Sequence, residues 1–273
     1  MCILFIYLGK EDDDNDYSLI LASNRDELYG RLAENLGPWT EDPNVYGGRD
    51  LKSDDCGTWL AVSPLRKRFG ALLNLPASPK PNSQSRGKIV ADYVKHTKTT
   101  SEYIKSIKDY AKDMNQFILV TVEFDQINYP IIQSYNNATD KLEIWKDTCI
   151  GFGNSLPETP LKKTESGKIK LHDICSRFKK INMKQQLITE LLQLLKSEER
   201  HVPDPLLERT HPNNFNELSS IFVCIPEKRY GTRTHTILLL TKNGHMNLIE
   251  ETLQHQIELS NPKWVRTEYQ FDI

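Results

Sequence analysis

The sequence predicts an α+β protein in which stacked, mostly antiparallel β-sheets are flanked by helices. Three observations support this class. Short apolar segments rich in β-branched and aromatic residues recur along most of the 273 residues. Segments with helical spacing are fewer and are grouped between these strands. The turn Lys242-Asn243-Gly244 joins two predicted strands and is a strong hairpin signal, as expected for antiparallel neighbours.

The first predicted strand, residues 2–8 (CILFIYL), is apolar on both faces, as in strands that are covered on both sides. Residues 9–16 are acidic and are predicted to form a turn, and residues 17–24 (YSLILASN) form the second strand. A polar cluster stands where this second strand is predicted to end: Ser23, Asn24, Arg25, Asp26 and Glu27. The function of these residues depends on which groups lie beside them in the fold.

The remaining elements follow from the same signals. Further strands are predicted at residues 58–63, 68–75, 116–124, 129–135, 142–147, 219–225, 234–241 and 245–251. Helices are predicted at residues 86–96, 100–114, 170–178 and 183–197. Thr100 or Ser101 is expected to cap the second helix, and Asn182 the last. The Pro/Ser-rich segment at 76–85 is predicted to be an excursion within one domain that spans residues 1–273.

Composition and charge argue against several classes of protein. The chain has 35 Lys and Arg against 37 Asp and Glu, a net charge of -2. A dedicated binder of nucleic acid or of anionic membranes needs a concentrated basic face, so neither partner is expected. No run of about 18 apolar residues occurs, so no transmembrane segment is expected. The apolar run at the N-terminus is too short for a signal peptide, which favours a cytoplasmic location.

The five cysteines are widely spaced and form no CxxC pair. This pattern is typical of free thiols in a reducing compartment. Four of them are expected to be buried or incidental thiols: Cys56, Cys149, Cys175 and Cys224. The histidines form no metal-binding motif, so neither a metal ion nor another cofactor is expected.

The first two strands allow the neighbours of Cys2 to be estimated. If they form a hairpin that pairs Leu8 with Tyr17, Cys2 lies opposite Ser23. A slip of two residues places Cys2 opposite Arg25 instead. In both registers the thiol lies beside the polar cluster.

Cys2 becomes the N-terminal residue if methionine aminopeptidase removes Met1, as this enzyme generally does before a small residue. The thiol would then be a nucleophile, and the α-amine, with a pKa of roughly 7.7 to 8.0, could act as its base. Asp26 could orient this amine, and Arg25 would favour the thiolate. The alternative is that Cys2 is an ordinary core residue of the first strand.

Several segments in order resemble the NRDE family, the transport and Golgi organisation protein family: MCILFIY, LASNRDEL, GGRDL…GTWLAVS, FGALLNL, SRGKIV, GFGNSLPETPLKK and YGTRTHTILLL. The signature is Asn24-Arg25-Asp26-Glu27, and the match covers nearly the whole chain. Cys56 departs from the pattern, because the family usually has Gly before Gly57-Thr58-Trp59. The family is similar to the N-terminal-nucleophile hydrolases, which implies a four-layer αββα sandwich.

This resemblance implies a set of catalytic residues. The choloylglycine-hydrolase group of that superfamily uses an N-terminal Cys, an Asn-x-Asp at the end of the second strand, a mid-chain Asn and a late Arg. Cys2, Asp26, Asn154 and Arg233 match the catalytic positions, and Asn24 matches the first residue of Asn-x-Asp. Asn154 and backbone N–H groups would then stabilise an oxyanion.

The polar cluster departs from that group in one respect. An Arg directly precedes the Asn in choloylglycine hydrolases, whereas Ser23 stands there in this chain and Arg25 comes two residues later. In an ideal strand Ser23, Arg25 and Glu27 share one face, with Asn24 and Asp26 on the other, so Arg25 could substitute.

Other residues are candidates for contact with a ligand: Ser23, Asn24, Arg25, Glu27 and His235. His235 follows Arg233 by two residues and is expected to share its face. Gly151-Phe152-Gly153 is predicted to form a tight turn, and the alternative is that it shapes the site around Asn154.

Two functions remain open. Members of the family are implicated in protein secretion and Golgi organisation, in lipid and acyl-CoA metabolism, and in haem movement. This implies a binding protein for a small hydrophobic-anionic ligand (acyl-CoA, lipid or haem), cytoplasmic and associated with the Golgi or mitochondria. The alternative is an enzyme in which Cys2 hydrolyses an amide or thioester after removal of Met1.

Overall fold

The computed structural model describes residues 2–10, 13–52, 57–80, 83, 85–124, 129–255 and 257–273. Within these ranges the strands are β1 (Ile3–Leu8), β2 (Tyr17–Leu28), β3 (Ala33–Trp39), β4 (Asp42–Asp50), β5 (Leu60–Ser63), β6 (Arg68–Asn74), β7 (Phe117–Phe124), β8 (Pro130–Asn136), β9 (Lys141–Trp145), β10 (Cys149–Phe152), β11 (Cys224–Ile225), β12 (Tyr230–Thr241), β13 (His245–Leu253) and β14 (Trp264–Asp272). The helices are α1 (Gly87–Lys95), α2 (Thr100–Ala111), α3 (Lys162–Arg177), α4 (Lys184–Leu195), α5 (Pro205–Thr210) and α6 (Phe215–Leu218). Cys56 lies outside the described residues.

The chain folds into two compact units. Unit 1 consists of Met1–Gly30 and Asp147–Asp272, and unit 2 consists of Arg31–Lys146 with Ile273. Each unit contains a seven-stranded antiparallel sheet and its own helices. These are the sheets and helices that the α+β prediction requires, so this fold class is confirmed.

Unit 2 is a meander in which β3 to β9 pair in sequence order. Alternating apolar residues give these strands a buried face, against which α1 and α2 pack. The shared core includes Val45, Leu119, Ile89, Tyr93 and Ile107. Thr99 caps α2 with Glu102 in a reciprocal capping box, one residue before the predicted cap.

In unit 1 the strand order is β10-β1-β2-β12-β13-β14, and β11 pairs with β12. All six residues of β1 are buried, as its apolar sequence predicts. Helices α3 and α4 pack on the face that carries Ile3, Phe5 and Ile20, and Leu171 and Leu191 fill the core between them. The Lys242-Asn243-Gly244 hairpin is confirmed, with Gly244 at a φ of 86°.

Several predicted boundaries are wrong. The second strand does not end at the polar cluster but continues to Leu28, so these polar residues are part of the sheet. Residues 219–225 form a strand only at Cys224–Ile225. The predicted helix at 170–178 begins at Lys162 instead. A 3₁₀ turn at Ile181–Met183 precedes α4, so Asn182 is not its cap.

Four strands had no counterpart in the sequence prediction: β3, β4, β10 and β14. Strands β3 and β14 each have several exposed residues, so their sequences lack a clear apolar face. Strand β10 has only four residues, two of them flanking a glycine.

Outside Cys56, the cysteines expected to be incidental are free thiols. No helix in the described ranges is long and apolar enough to cross a bilayer.

Candidate functional site

The start of β1 lies between β2 and β10, and this arrangement sets the neighbours of Cys2. Ile3 pairs with Asn24 on β2, and Leu4 pairs with Phe152 on β10. Continuing each register to Cys2 places it between Arg25 and Asn154. The observed hairpin therefore corresponds to the slipped alternative, and the pairing of Leu8 with Tyr17 is wrong, since Leu8 pairs with Leu19.

Cys2 is a partly buried free thiol. Burial raises its pKa, and the Asp26 carboxylate raises this pKa further, whereas the Asp26 backbone N–H and the Arg25 guanidinium lower it. A thiol in this environment stays protonated near neutral pH. It is therefore a poor nucleophile in this state, because the thiolate is the reactive form.

The polar cluster of β2 is divided between two faces of the strand, as alternation predicts. On one face the Ser23 hydroxyl donates to the carbonyl oxygen of Ile3 at 2.9 Å, so Ser23 ties β2 to β1. Arg25 is buried on the same face, and its Nη2 lies 4.0 Å from Oε2 of Glu27. Glu27 is the more exposed member of this pair.

On the other face, Asn24 is completely buried and bonded to several parts of unit 1. Its Nδ2 donates to the carbonyl oxygens of Leu195 at 2.8 Å and Ile221 at 3.0 Å. Its Oδ1 lies 2.7 Å from Nδ1 of His235. Asn24 therefore holds the C-terminus of α4 and the segment before β11 against the sheet.

A β-bulge on β12 determines the surroundings of Asp26. Thr232 pairs with Asp26 and Thr234 pairs with Arg25, so Arg233 is the extra residue. The Thr232 hydroxyl donates to Oδ1 of Asp26 at 2.7 Å. The buried Arg233 donates from Nη1 to the carbonyl oxygen of Leu28 at 3.0 Å. The bulge interrupts the regular alternation of β12, and the expectation that Arg233 and His235 share a face stays a prediction.

His235 is a neutral, buried imidazole with a defined tautomer. Because the Asn24 amide nitrogen already donates to two carbonyls, its oxygen must accept from Nδ1–H of His235. The ring stacks on Trp264 with centroids 4.6 Å apart. Burial lowers the pKa of His235 to about 3, and the charge of Lys196 acts in the same direction.

Asp26 and Asn154 are also buried at this end of the sheet. Burial raises the pKa of Asp26, whereas the charge of Lys163 and the hydrogen bond from Thr232 lower it. Asn154 comes two residues after the end of β10, and the register of β10 with β1, extended to this point, pairs it with Cys2. The structure thus brings Cys2, Asp26, Asn154 and Arg233 to one end of one sheet.

Lys163 was not among the site residues predicted from the sequence. Its side chain is 1 % exposed, and Nζ donates to the carbonyl oxygen of Ser220 at 3.0 Å. Burial lowers the pKa of Lys163, against the opposing effect of the negative charges of Asp26 and Cys2. No signal in the sequence pointed to Lys163, because the helix was predicted to begin at residue 170, and only the structure places Lys162 and Lys163 in its first turn.

The buried segment Ser219–Val223, which we call the 219–223 strap, was also missed because it was predicted to be a strand. Its backbone binds side chains of the site. Ser220 accepts from Lys163, Ile221 accepts from Asn24, and Val223 N–H donates to the Thr232 hydroxyl at 2.9 Å. Backbone groups used in this way are not available for a β-ladder.

Gly151 and Gly153 do not form the predicted tight turn. They lie in and just after β10, where a Cβ would stand 2.9 Å from Cγ2 of Thr164 and 2.6 Å from its Oγ1, respectively. The glycines therefore allow the first turn of α3 to approach the strand closely. This agrees with the alternative that they shape the site near Asn154.

Two surface pockets of unit 1, with volumes of about 380 and 370 Å³, lie away from the candidate site residues. One is formed by α3, α4 and Ser197, and the other by the hairpin turn at Asp13–Asp16 with residues 180–181 and 242–243. Within the part of the chain that the structure describes, no three His, Cys, Asp or Glu side chains are grouped to hold a metal ion.

Comparison with known proteins gives a consistent result. Residues 1–255 match the family model described as Transport and Golgi organisation 2. The chain is 36 % identical to the Drosophila melanogaster "Transport and Golgi organization protein 2" over 262 residues, which cover 93 % of this chain and 92 % of the relative. It is 29 % identical to the Mus musculus homolog over 279 residues and 31 % identical to the Homo sapiens homolog over 283. Both of these matches cover 100 % of this chain and 99 % of the relative.

Proposed function

The chain belongs to the Transport and Golgi organisation 2 family, and on that premise we propose that it acts in transport and Golgi organisation by binding a small hydrophobic-anionic ligand. The proposed site is the end of the unit 1 sheet around Cys2, Asp26, Asn154 and Arg233. The candidate ligands are acyl-CoA, lipid and haem. The proposed location is the cytoplasm, in association with the Golgi or mitochondria.

Positive charge at this end of the sheet supports the binding of an anion. Arg25, Lys163 and Arg233 are buried there, in the same unit as the polar cluster. Guanidinium groups bind carboxylate and phosphate through bidentate hydrogen bonds, and their weak hydration suits them to buried contacts. Glu27 would hold Arg25 in place through their contact, and Ser23, Asn24 and His235 would fix the strands around the site.

The burial of three basic side chains at one end of the unit 1 sheet is the single observation that carries the binding proposal. Burial also raises the pKa of the Cys2 thiol, and a thiol is less reactive than a thiolate, whereas the binding of a ligand requires no thiolate.

Binding of palmitoyl-CoA and of haemin to the purified chain tests this proposal. We expect Arg25→Met and Arg233→Met each to weaken binding about tenfold or more, because a charge-assisted contact contributes about 1.5 to 3 kcal/mol. Cys2→Ala should keep its affinity, and so should Lys98→Met, which removes an exposed cation. The proposal is wrong if neither ligand binds, or if both arginine variants bind as well as the parent chain.

A second function, hydrolysis by Cys2, is favoured by a different observation. Extended by one residue, the two registers bring Cys2 opposite Arg25 and Asn154, next to Asp26 along β2, and this grouping would suit an N-terminal nucleophile. Removal of Met1 would free an α-amine to accept the thiol proton. The thiolate would attack the acyl carbon of an amide or thioester and form an acyl-enzyme, while the amine or thiol leaves with the proton that the α-amine holds. Water would then hydrolyse the acyl-enzyme, which releases the acid and returns the thiol. Chains whose intact mass lacks Met1 should then turn over acyl thioesters, and Cys2→Ala should abolish this activity.

A further inference from the structure

Strand β14 forms one edge of the unit 1 sheet. It is the last strand in the order β10-β1-β2-β12-β13-β14, and it pairs with β13 on one side. Within the part of the chain that the structure describes, no strand pairs with its other side. Val265 is 38 % exposed, and the side chains of Arg266 and Glu268 are 39 % and 30 % exposed, so solvent reaches this edge. An exposed edge presents backbone N–H and C=O groups that another strand can bind.

Strand β14 lacks the features that usually protect an edge. It is nine residues long. Its pairing with β13 keeps one register from Leu253–Trp264 to His245–Asp272, without a bulge. Its sequence, WVRTEYQFD, contains neither Pro nor Lys. Natural sheets shorten, bulge or charge their edge strands to prevent pairing with other chains, so a long and regular edge is suited to accept a further strand.

Two opposite charges stand side by side on this edge. Arg266 and Glu268 are two residues apart and therefore share a face of β14. Nη2 of Arg266 lies 3.3 Å from Oε2 of Glu268. Glu251, which pairs with Arg266 across the sheet, has Lys196 as an ionic partner at 2.7 Å. The edge thus presents one positive and one negative group with a spacing of two residues.

This charge pattern is complementary to itself. Two copies of β14 related by a two-fold axis through Thr267 run antiparallel. Arg266 of each copy then lies opposite Glu268 of the other, so two ion pairs form between the chains and the four charges alternate in sign. Thr267 lies opposite Thr267, and Val265 lies opposite Tyr269. Opposite charges and threonines that face each other across strands stabilise a sheet.

The neighbouring registers lack this complementarity. An axis through Arg266 would place the two arginines opposite each other, and an axis through Glu268 would do the same with the two glutamates. A parallel strand in register would also oppose like charges. Like charges directly across two strands are destabilising, so the sequence of β14 favours one orientation and one register.

We propose that the edge of β14 is an interaction surface for a second copy of this chain, paired antiparallel about Thr267. Backbone hydrogen bonds supply the attraction, and Arg266 and Glu268 select the register. Both copies use the same surface, so the assembly closes at two chains. This inference goes beyond the proposed function and does not depend on it, because β14 contributes none of the proposed ligand-binding residues.

Sedimentation velocity of the purified full chain, over a concentration series in the micromolar range, tests the dimer. The parent chain should approach the mass of two 31.5 kDa chains as its concentration rises. Arg266→Glu and Glu268→Arg should each weaken dimerisation about tenfold or more. The reason is that two-fold symmetry turns both ion pairs into contacts between like charges.

Mixing the two variants provides the sharper measurement. In an equal mixture each Arg266→Glu chain meets a Glu268→Arg chain whose charges are opposite at both contacts. The mixture should therefore dimerise about as well as the parent chain, although neither variant does so alone. The double variant Arg266→Glu/Glu268→Arg exchanges the two charges and should also dimerise, which decides the question if one of the single variants does not fold.

Arg209→Glu is the matched control, because it reverses the charge of an exposed arginine on α5. It should dimerise as the parent chain does. A parent chain that stays monomeric throughout the series would overturn the inference, and so would a dimer that neither reversal weakens or a mixture that does not reassociate. A monomeric chain that binds palmitoyl-CoA or haemin would refute the dimer alone and leave the proposed function standing.

Discussion

Asn24 shows that a residue of a family signature can act by holding other groups in place. Its amide bonds the end of α4, the 219–223 strap and His235. None of these partners is close to it in the sequence, so the tetrapeptide alone did not indicate this role. Asp26, two residues later, faces the same side, and its carboxylate accepts a hydrogen bond from Thr232 instead.

Replacing Asn24 tests this structural role. We expect Asn24→Ala to lower the free energy of unfolding by about 2 to 4 kcal/mol, because two buried carbonyl groups and one imidazole N–H lose their partner. Chemical denaturation measures this loss. Asn44→Ala, at an exposed asparagine, should change stability by less than about 0.5 kcal/mol. A tolerated Asn24→Ala that abolished palmitoyl-CoA binding would instead indicate direct contact with the ligand.

At the scale of elements, the contact between β10 and α3 determines where Lys163 and Asn154 stand. The contact is close because Gly151 in β10 and Gly153 just after it face the side chain of Thr164. The Thr164 hydroxyl is buried and has no hydrogen-bond partner among the described residues, so its role is one of shape. Sequence reasoning identified the glycines but assigned them to a turn, because their partner lies on a helix that was predicted to begin later.

A double-mutant cycle tests this packing. Gly153→Ala places a Cβ 2.6 Å from the Thr164 hydroxyl oxygen and should destabilise the chain by about 1 to 3 kcal/mol. Thr164→Ala removes that atom, and the new Cβ would then stand 3.9 Å from the Thr164 Cβ, so the double variant should recover most of the loss. Gly30→Ala is the control, since no atom lies within 4 Å of the position that its new Cβ would take. Strictly additive losses would contradict this account.

At the scale of the whole molecule, each unit has a sheet whose strand order is simple, and the proposed site lies within unit 1 alone. That residues 1–273 act as a single domain stays a prediction.

His235, a buried neutral histidine in unit 1, should influence the stability of the whole chain. Because His235 is uncharged in the fold and protonates readily once exposed, acid should favour the unfolded state.

The sign of this effect follows from the two pKa values. The pKa of His235 is about 3 in the folded chain, against 6.5 ordinarily. The unfolded state therefore binds an extra proton between these values. The His235 contribution is fully present above pH 6.5 and is lost as pH falls toward 3, at up to about 1.4 kcal/mol per pH unit.

His235→Gln should reduce this slope, since glutamine keeps an N–H donor for Asn24 but does not titrate. Unfolding free energies measured by denaturant at several pH values give the comparison. The exposed His172→Gln serves as control and should keep the slope of the parent chain. Equal slopes in all three proteins would show that His235 is not held neutral by burial.

The sequence by itself determined the α+β class, most of the central strands, the two helices of unit 2 and the proximity of Cys2 to the polar cluster. These features depend on local patterns, because apolar alternation, helical spacing and a tight hairpin act over a few residues. Only the tertiary structure decided the register, the bulge at Arg233, the bonds of Asn24 and the burial of Lys163. Lys163 and Ser220 are 57 residues apart, and Asn24 and His235 are 211 apart. Such contacts arise when distant segments exclude water together, so no short stretch of the sequence contains them.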